Sequence, residues 1–263
     1  MCILCSTDGD RINLPLGGAT IAALVFLLHP PSQEKSVSLR QQILRLDPLG
    51  SLVFLPGIVC LLLALQWGGS TYSWNSGRIV ALFIITAVLA IAFIAIEIWQ
   101  QENAMVPPRI FRKRTIFSGV LFALCVGGAM ISLIYDIPLW FQAVKGVSAV
   151  HSGIDTLPMV LALVVGAIMS GSIITATGWY NPWMFASTAL MSIGAGLITT
   201  WRIETGHAKW IGYQVIFGLG LGYGMQQASL AAQAILDRKD ISTGISLMFF
   251  AQNLGGAIFI SVG

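Results

Sequence analysis

Four acidic side chains stand at or inside long apolar stretches of this 263-residue chain: Asp47, Glu97, Asp136 and Asp155. A carboxylate at membrane depth is costly, and it marks an ion or proton pathway unless its position relieves that cost. Asp47 precedes Pro48, the pattern of a helix cap. Glu97 lies within a turn of Trp99, close enough to a span end to snorkel to the interface. Asp155 falls in Ser152-Gly153-Ile154-Asp155, a span opening where the helix dipole favours an acid. Asp136, in Tyr135-Asp136-Ile137-Pro138, is the deepest of the four. It faces an aqueous cavity and titrates with transport, or it rests at the interface. Asp136 and Asp155 are the proton-coupling candidates.

Amides form the second group. Gln226-Gln227 and Gln233 lie in one apolar stretch and Gln252-Asn253 in the next. An amide cannot stay unpaired in lipid, so each must face protein or water. They bind a substrate in a central cavity, or they bridge helices. Met225, Met248, Phe249 and Phe250 beside them suit adaptable recognition of apolar ligands, or plain bundle packing.

Other chemistries lack their residues. No lysine follows a glycine, so a G-K-[ST] phosphate loop cannot occur. The run Gly218-Leu219-Gly220-Leu221-Gly222-Tyr223-Gly224 sits inside an apolar stretch. Gly218/Gly222 and Gly220/Gly224 are spaced as strips for close helix packing. Cys2 and Cys5 have metal spacing but no second pair. His29, His151 and His207 are scattered in loops. No metal site, cofactor or enzymatic centre is expected. Charged residues are 10% of the chain against 56% hydrophobic, and mean hydropathy is +0.82. A soluble domain carries about 25% charged residues. The net charge of +3 is too small for a nucleic-acid surface.

The elements that must hold these groups are membrane helices of about 20 apolar residues each. Eight candidates appear: Ile12–Leu28, Pro48–Trp67, Arg78–Trp99, Thr115–Phe141, Ile154–Thr177, Trp183–Trp201, Trp210–Leu236 and Ile241–Gly263. Alternating sides put Lys35, Arg40, Arg45, the cluster from Arg109 to Arg114, Arg238 and Lys239 in cytoplasmic loops, as the positive-inside bias requires. Trp67, Trp74, Trp99, Trp140, Trp201 and Trp210 sit at span ends as aromatic belts. Pro56, Pro138 and Pro158, with Gly127-Gly128 and Gly255-Gly256, permit kinks and close approach. The expected fold class is therefore an all-α integral membrane bundle.

Several strings together carry a resemblance. Ile12-Asn13-Leu14-Pro15-Leu16-Gly17-Gly18, Leu46-Asp47-Pro48-Leu49-Gly50 and Leu65-Gln66-Trp67-Gly68-Gly69 with Trp74 come in order. They are followed by Phe141-Gln142-Ala143-Val144-Lys145-Gly146, Gly178-Trp179-Tyr180-Asn181-Pro182, Trp210-Ile211-Gly212-Tyr213-Gln214, Gly224-Met225-Gln226-Gln227 and Phe249-Phe250-Ala251-Gln252-Asn253-Leu254-Gly255-Gly256. The set resembles the fourteen-span drug:proton antiporter branch of the major facilitator superfamily, of the fungal toxin and multidrug efflux type.

That resemblance implies a partial bundle. Residues 1–28 are a divergent start and one span resembling span six, 29–114 a cytoplasmic loop plus a linking helix pair, and 115–263 the C-terminal transporter half lacking its last helix. It implies proton-coupled export of small, largely apolar organic compounds by alternating access. The lipid bilayer, protons and the N-terminal half are the implied partners, and the plasma membrane is favoured over the vacuole. Gln226, Gln227, Gln252, Asn253 and Phe249 become the implied substrate contacts. Trp140 and Gln142 lie nearer the outer mouth, and Asp136 is the leading titratable group. The competing reading is a non-transporting fragment that needs a partner.

Overall fold

The computed structural model describes residues 47–262 except 102 and 103, together with single residues between 15 and 24. The chain divides into two compact units, Met1–Gln42 and Ile43–Gly263. In the first, the described residues are helical, and Thr20 Oγ1 donates to the Gly17 carbonyl at 2.9 Å. They fall within the span expected over Ile12–Leu28. The rest of that span, Cys2, Cys5, His29 and the loop to Leu46 lie outside the described residues.

Among the described residues of the second unit the elements are all helices, with one isolated bridge between Gly68 and Tyr72. Its helices are α1 (Pro48–Trp67), α2 (Gly77–Gln100), α3 (Pro108–Phe111), α4 (Arg114–Ala143), α5 (Ala149–Thr177), α6 (Asn181–Ile198), α7 (His207–Gly224), α8 (Gln227–Ile235) and α9 (Ile241–Val262). Five of them, α1, α2, α4, α5 and α9, are long and apolar enough to cross a membrane. The all-α membrane architecture is as expected.

Local chemistry sets the helix ends. Asp47 caps α1, its Oδ1 accepting the Gly50 N–H at 2.8 Å. Ser148 caps α5 by accepting the His151 N–H at 3.3 Å. That cap starts α5 at Ala149, earlier than expected, so Asp155 lies inside the helix and not in its first turn. The dipole reading of Asp155 is thereby corrected. The seventh expected span is also not continuous. It is interrupted at Met225-Gln226, between α7 and α8, directly after the glycine run that lowers helix propensity. Glu97 does not snorkel. It is buried, and its Oε2 accepts the Val106 N–H at 3.0 Å from the following loop.

Glycines decide which helices pair. On α7, a Cβ at Gly218 or Gly222 would strike the backbone carbonyls of Met159 and Leu163 on α5. A Cβ at Gly220 would lie 2.7 Å from the Met191 nitrogen on α6, and one at Gly224 would strike Ser187 Oγ. The two strips read from the sequence therefore serve two different neighbours, and α7 is clamped between α5 and α6. The α4–α9 seam is built likewise. Gly127 abuts the Gln252 carbonyl and Gly255 abuts the Leu124 carbonyl. Without a hydrophobic drive between helices in lipid, such backbone proximity is what holds them together.

The helix ends are tied at both faces. Arg109 and Asp240 form a two-pronged ion pair at 2.7 and 2.8 Å, and Lys113 Nζ donates to the Ile235 carbonyl at 3.2 Å. The basic loop before α4 thus lies at the same end of the bundle as the α8–α9 loop, as the alternation of sides requires. At the opposite end Lys145 Nζ donates to the Thr205 carbonyl at 3.1 Å. It also stands over the rings of Trp140, Phe141 and Trp210 at 5.6, 5.9 and 6.0 Å.

Candidate functional site

On α9, the positions Ser242, Ser246, Phe249 and Asn253 are exposed and recur three or four residues apart, which aligns them on one stripe. The opposite face of α9, including Met248, Ala251 and Gly255, is buried. Gln226, at the start of α8, and Gln233, seven residues later, are exposed on one side of that helix. A neighbouring helix shows the contrast. The exposed stripe Ile84, Val88 and Ile91 of α2 is entirely aliphatic. An aliphatic stripe satisfies lipid, whereas serine, asparagine and glutamine need water or another protein surface. The polar stripes of α8 and α9 are therefore the candidate lining of an aqueous cavity.

The expected contact residues separate into groups. Gln226, Phe249 and Asn253 are exposed on these stripes. The Asn253 Nδ2 donates back to the Phe249 carbonyl at 2.7 Å, which links those two within the helix. Gln252 instead faces the α4–α9 seam, its Nε2 4.0 Å from Met130 Sδ. Gln227 is buried, and its Oε1 has no hydrogen-bond partner. Trp140 belongs to the aromatic cluster under Lys145, with its ring 4.9 Å from that of Trp201. Gln142 donates to Ser152 Oγ at 3.0 Å and ties the end of α4 to α5. Asp136 is exposed on α4, with no ion pair or hydrogen bond among the described residues. Asp155 is half-buried, and its backbone carbonyl accepts the Gln214 Nε2 at 3.0 Å.

Gln214 was not singled out as a site residue. It is fully buried on α7 and its Oε1 is unpartnered, so it bridges to α5 while keeping an acceptor in reserve. An amide one turn before a glycine run was the signal available for it. Asp240 was also missed. The Arg109 guanidinium, hydrogen-bonded to it, holds its carboxyl below the ordinary aspartate value of 3.8, against the opposing effect of burial. A lowered folded-state value stabilises the fold above the unfolded value, and this is lost as pH falls through the folded one. The wild-type chain in detergent should therefore lose melting temperature progressively below about pH 4. Asp240→Asn should lower the neutral-pH melting temperature and remove this part of the acid loss. An unchanged acid limb would contradict the assignment.

Among the described residues no group of His, Cys, Asp and Glu could hold a metal. A family model described as fungal trichothecene efflux pump (TRI12) matches residues 15–261, a range that contains both polar stripes. The chain belongs to that family. It is a family of efflux transporters, not of enzymes, and the kinship with major facilitator efflux pumps expected from the motifs is borne out. A rubrofusarin-specific efflux pump of Gibberella zeae is 54% identical over 251 residues, covering 95% of this chain and 46% of that protein. An MFS-type efflux pump of Arthroderma benhamiae is 52% identical over 254 residues, covering 96% and 47%. An efflux pump of Penicillium rubens is 51% identical over 253 residues, with the same coverage of 96% and 47%. The chain thus spans about half the length of the curated relatives it matches. As a member of this transporter family with five helices long and apolar enough to span a membrane among its described residues, it is an integral multi-pass membrane protein.

Proposed function

We propose that this chain supplies the linking helix pair and most of the C-terminal half of an exporter of small, largely apolar organic compounds. It works by proton-coupled alternating access together with an N-terminal half, in the plasma membrane. The family description and one relative's name refer to trichothecene and rubrofusarin efflux, which supports a small organic product as the substrate class. The observation that carries the reading is the pair of polar stripes on α8 and α9, exposed on an otherwise greasy bundle. Gln226, Asn253 and Phe249 offer amide hydrogen bonds beside an aromatic face, a combination that orients an apolar ligand without demanding one shape.

The test uses vesicles holding the chain with and without a co-reconstituted N-terminal half. Rhodamine 6G should accumulate against its gradient only with both halves, with an acidic lumen, and not after a protonophore. Accumulation independent of the pH gradient would contradict proton coupling. No accumulation with both halves folded would favour the non-transporting fragment.

Asp136 is the proposed coupling group, because it is an exposed carboxylate without a partner among the described residues, on a helix long enough to span. Asp136→Asn should abolish gradient-driven accumulation and leave dye exchange at equal pH intact. Unchanged accumulation would remove Asp136 from the coupling pathway. Asp155, half-buried within α5, is the second candidate, and Asp155→Asn in the same assay separates the two.

A further inference from the structure

A cavity of about 880 Å³ lies where the linking pair, the loop after it and α9 meet, at the end of the bundle that carries the basic loop. Ser242 and Ser246 of the α9 stripe line it on one side, and α1 and α2 wall the other. Its walls are mostly apolar. Phe54 on α1 sits with its ring 4.8 Å from Phe93 on α2 and 5.0 Å from Phe250 on α9, and all three line the space.

Its charged lining is Glu97 and Arg112. The loop beneath draws on two carboxylates. Asp47 is saturated, taking the Gly50 N–H at 2.8 Å, the Gln100 Nε2 at 2.6 Å and the Met105 N–H at 3.3 Å. Glu97 is not. Its Oε2 takes the Val106 N–H, while Oε1 is buried with no partner. No basic side chain bonds either acid among the described residues. Arg112 is exposed nearby, with no ion pair among those residues. An unsatisfied buried acid calls for a cation that can donate a hydrogen bond.

We propose that this cavity binds a phospholipid with a phosphoethanolamine headgroup. Its primary ammonium donates to Glu97, its phosphate meets Arg112, and its acyl chains lie along the Phe54, Phe93 and Phe250 rings. The cavity sits at a span end flanked by basic residues, the depth at which a headgroup lies, and its aromatic wall continues toward the hydrocarbon. A quaternary ammonium has no N–H to donate, so phosphatidylcholine fits worse, and phosphatidylglycerol lacks the cation.

The test measures the full chain, delipidated in mild detergent, by thermal shift and native mass spectrometry. Phosphatidylethanolamine, phosphatidylcholine, phosphatidylglycerol and chain-free phosphoethanolamine are added separately. Phosphatidylethanolamine should be retained and raise the melting temperature most, and free phosphoethanolamine should do neither. Glu97→Gln, which keeps an acceptor for the Val106 N–H, should weaken its retention roughly ten-fold. Arg112→Ala, at an exposed position that does not threaten the fold, should weaken retention of all lipids that carry the phosphate. Equal response to the three lipids overturns the proposal. So does a preference unchanged in both variants, or a response to the free headgroup equal to that of the lipid.

Discussion

Gly127→Leu should remove the folded chain from detergent extracts. The Cβ would collide with the Gln252 carbonyl on α9, and that carbonyl is backbone in a regular helix, so it cannot swing aside. Overpacking that side chains can absorb costs about 1–3 kcal/mol. Here the helices themselves must separate, and native folds have only about 5–15 kcal/mol to lose. Intrinsic propensity points the other way, since leucine is the better helix former by roughly 0.8 kcal/mol. Any loss of fold is therefore a packing effect. Gly171→Leu is the control, because a Cβ there meets nothing within 4 Å. Fluorescence-detected size exclusion should show the monodisperse peak of Gly171→Leu at wild-type height and that of Gly127→Leu nearly absent. Equal peaks would contradict the seam.

The second large effect concerns transport without loss of fold. Replacing Gln226 and Asn253 together by leucine should reduce dye accumulation by both halves roughly ten-fold or more, from the loss of two hydrogen-bonding groups of about 0.5–1.5 kcal/mol each. Both are exposed, and the hydrogen bond of Asn253 is to its own helix, so melting temperature should hold or rise. A lipid-facing stripe predicts the same stability but unchanged transport. Measuring accumulation and melting on the same preparation separates the two.

What could be read from the sequence follows from how local the cause is. The Asp47 cap needs only Pro48 and the next turn, and it was legible. The two glycine strips of α7 are set by helical spacing alone, and they too were legible, although which neighbour each serves was not. Asp155 was misplaced because Ser148, three residues before His151, starts α5 earlier than the apolar run does. Glu97 was misread because its partner is a backbone N–H across a loop, which has no sequence signature. Gln214 and Asp240 depend on groups 59 and 131 residues away, and nothing near either names its partner. Of the candidate site, residue types identified the amides, but only the fold sorts Gln226 and Asn253 onto open stripes and Gln252 into a seam.

Thiol accessibility tests the aqueous cavity most directly. Asn253→Cys and Ile91→Cys, each in this chain with its four cysteines replaced and co-reconstituted with a cysteine-free N-terminal half, are exposed to a membrane-impermeant maleimide in sealed and in opened vesicles. Both positions are open in the structure, one on the polar stripe of α9 and the other on the aliphatic stripe of α2. Asn253→Cys should label in at least one orientation and be protected by added substrate dye, while Ile91→Cys stays unlabelled. Silence at both positions from either side would mean that the α9 stripe faces no water, and the transport reading would fall.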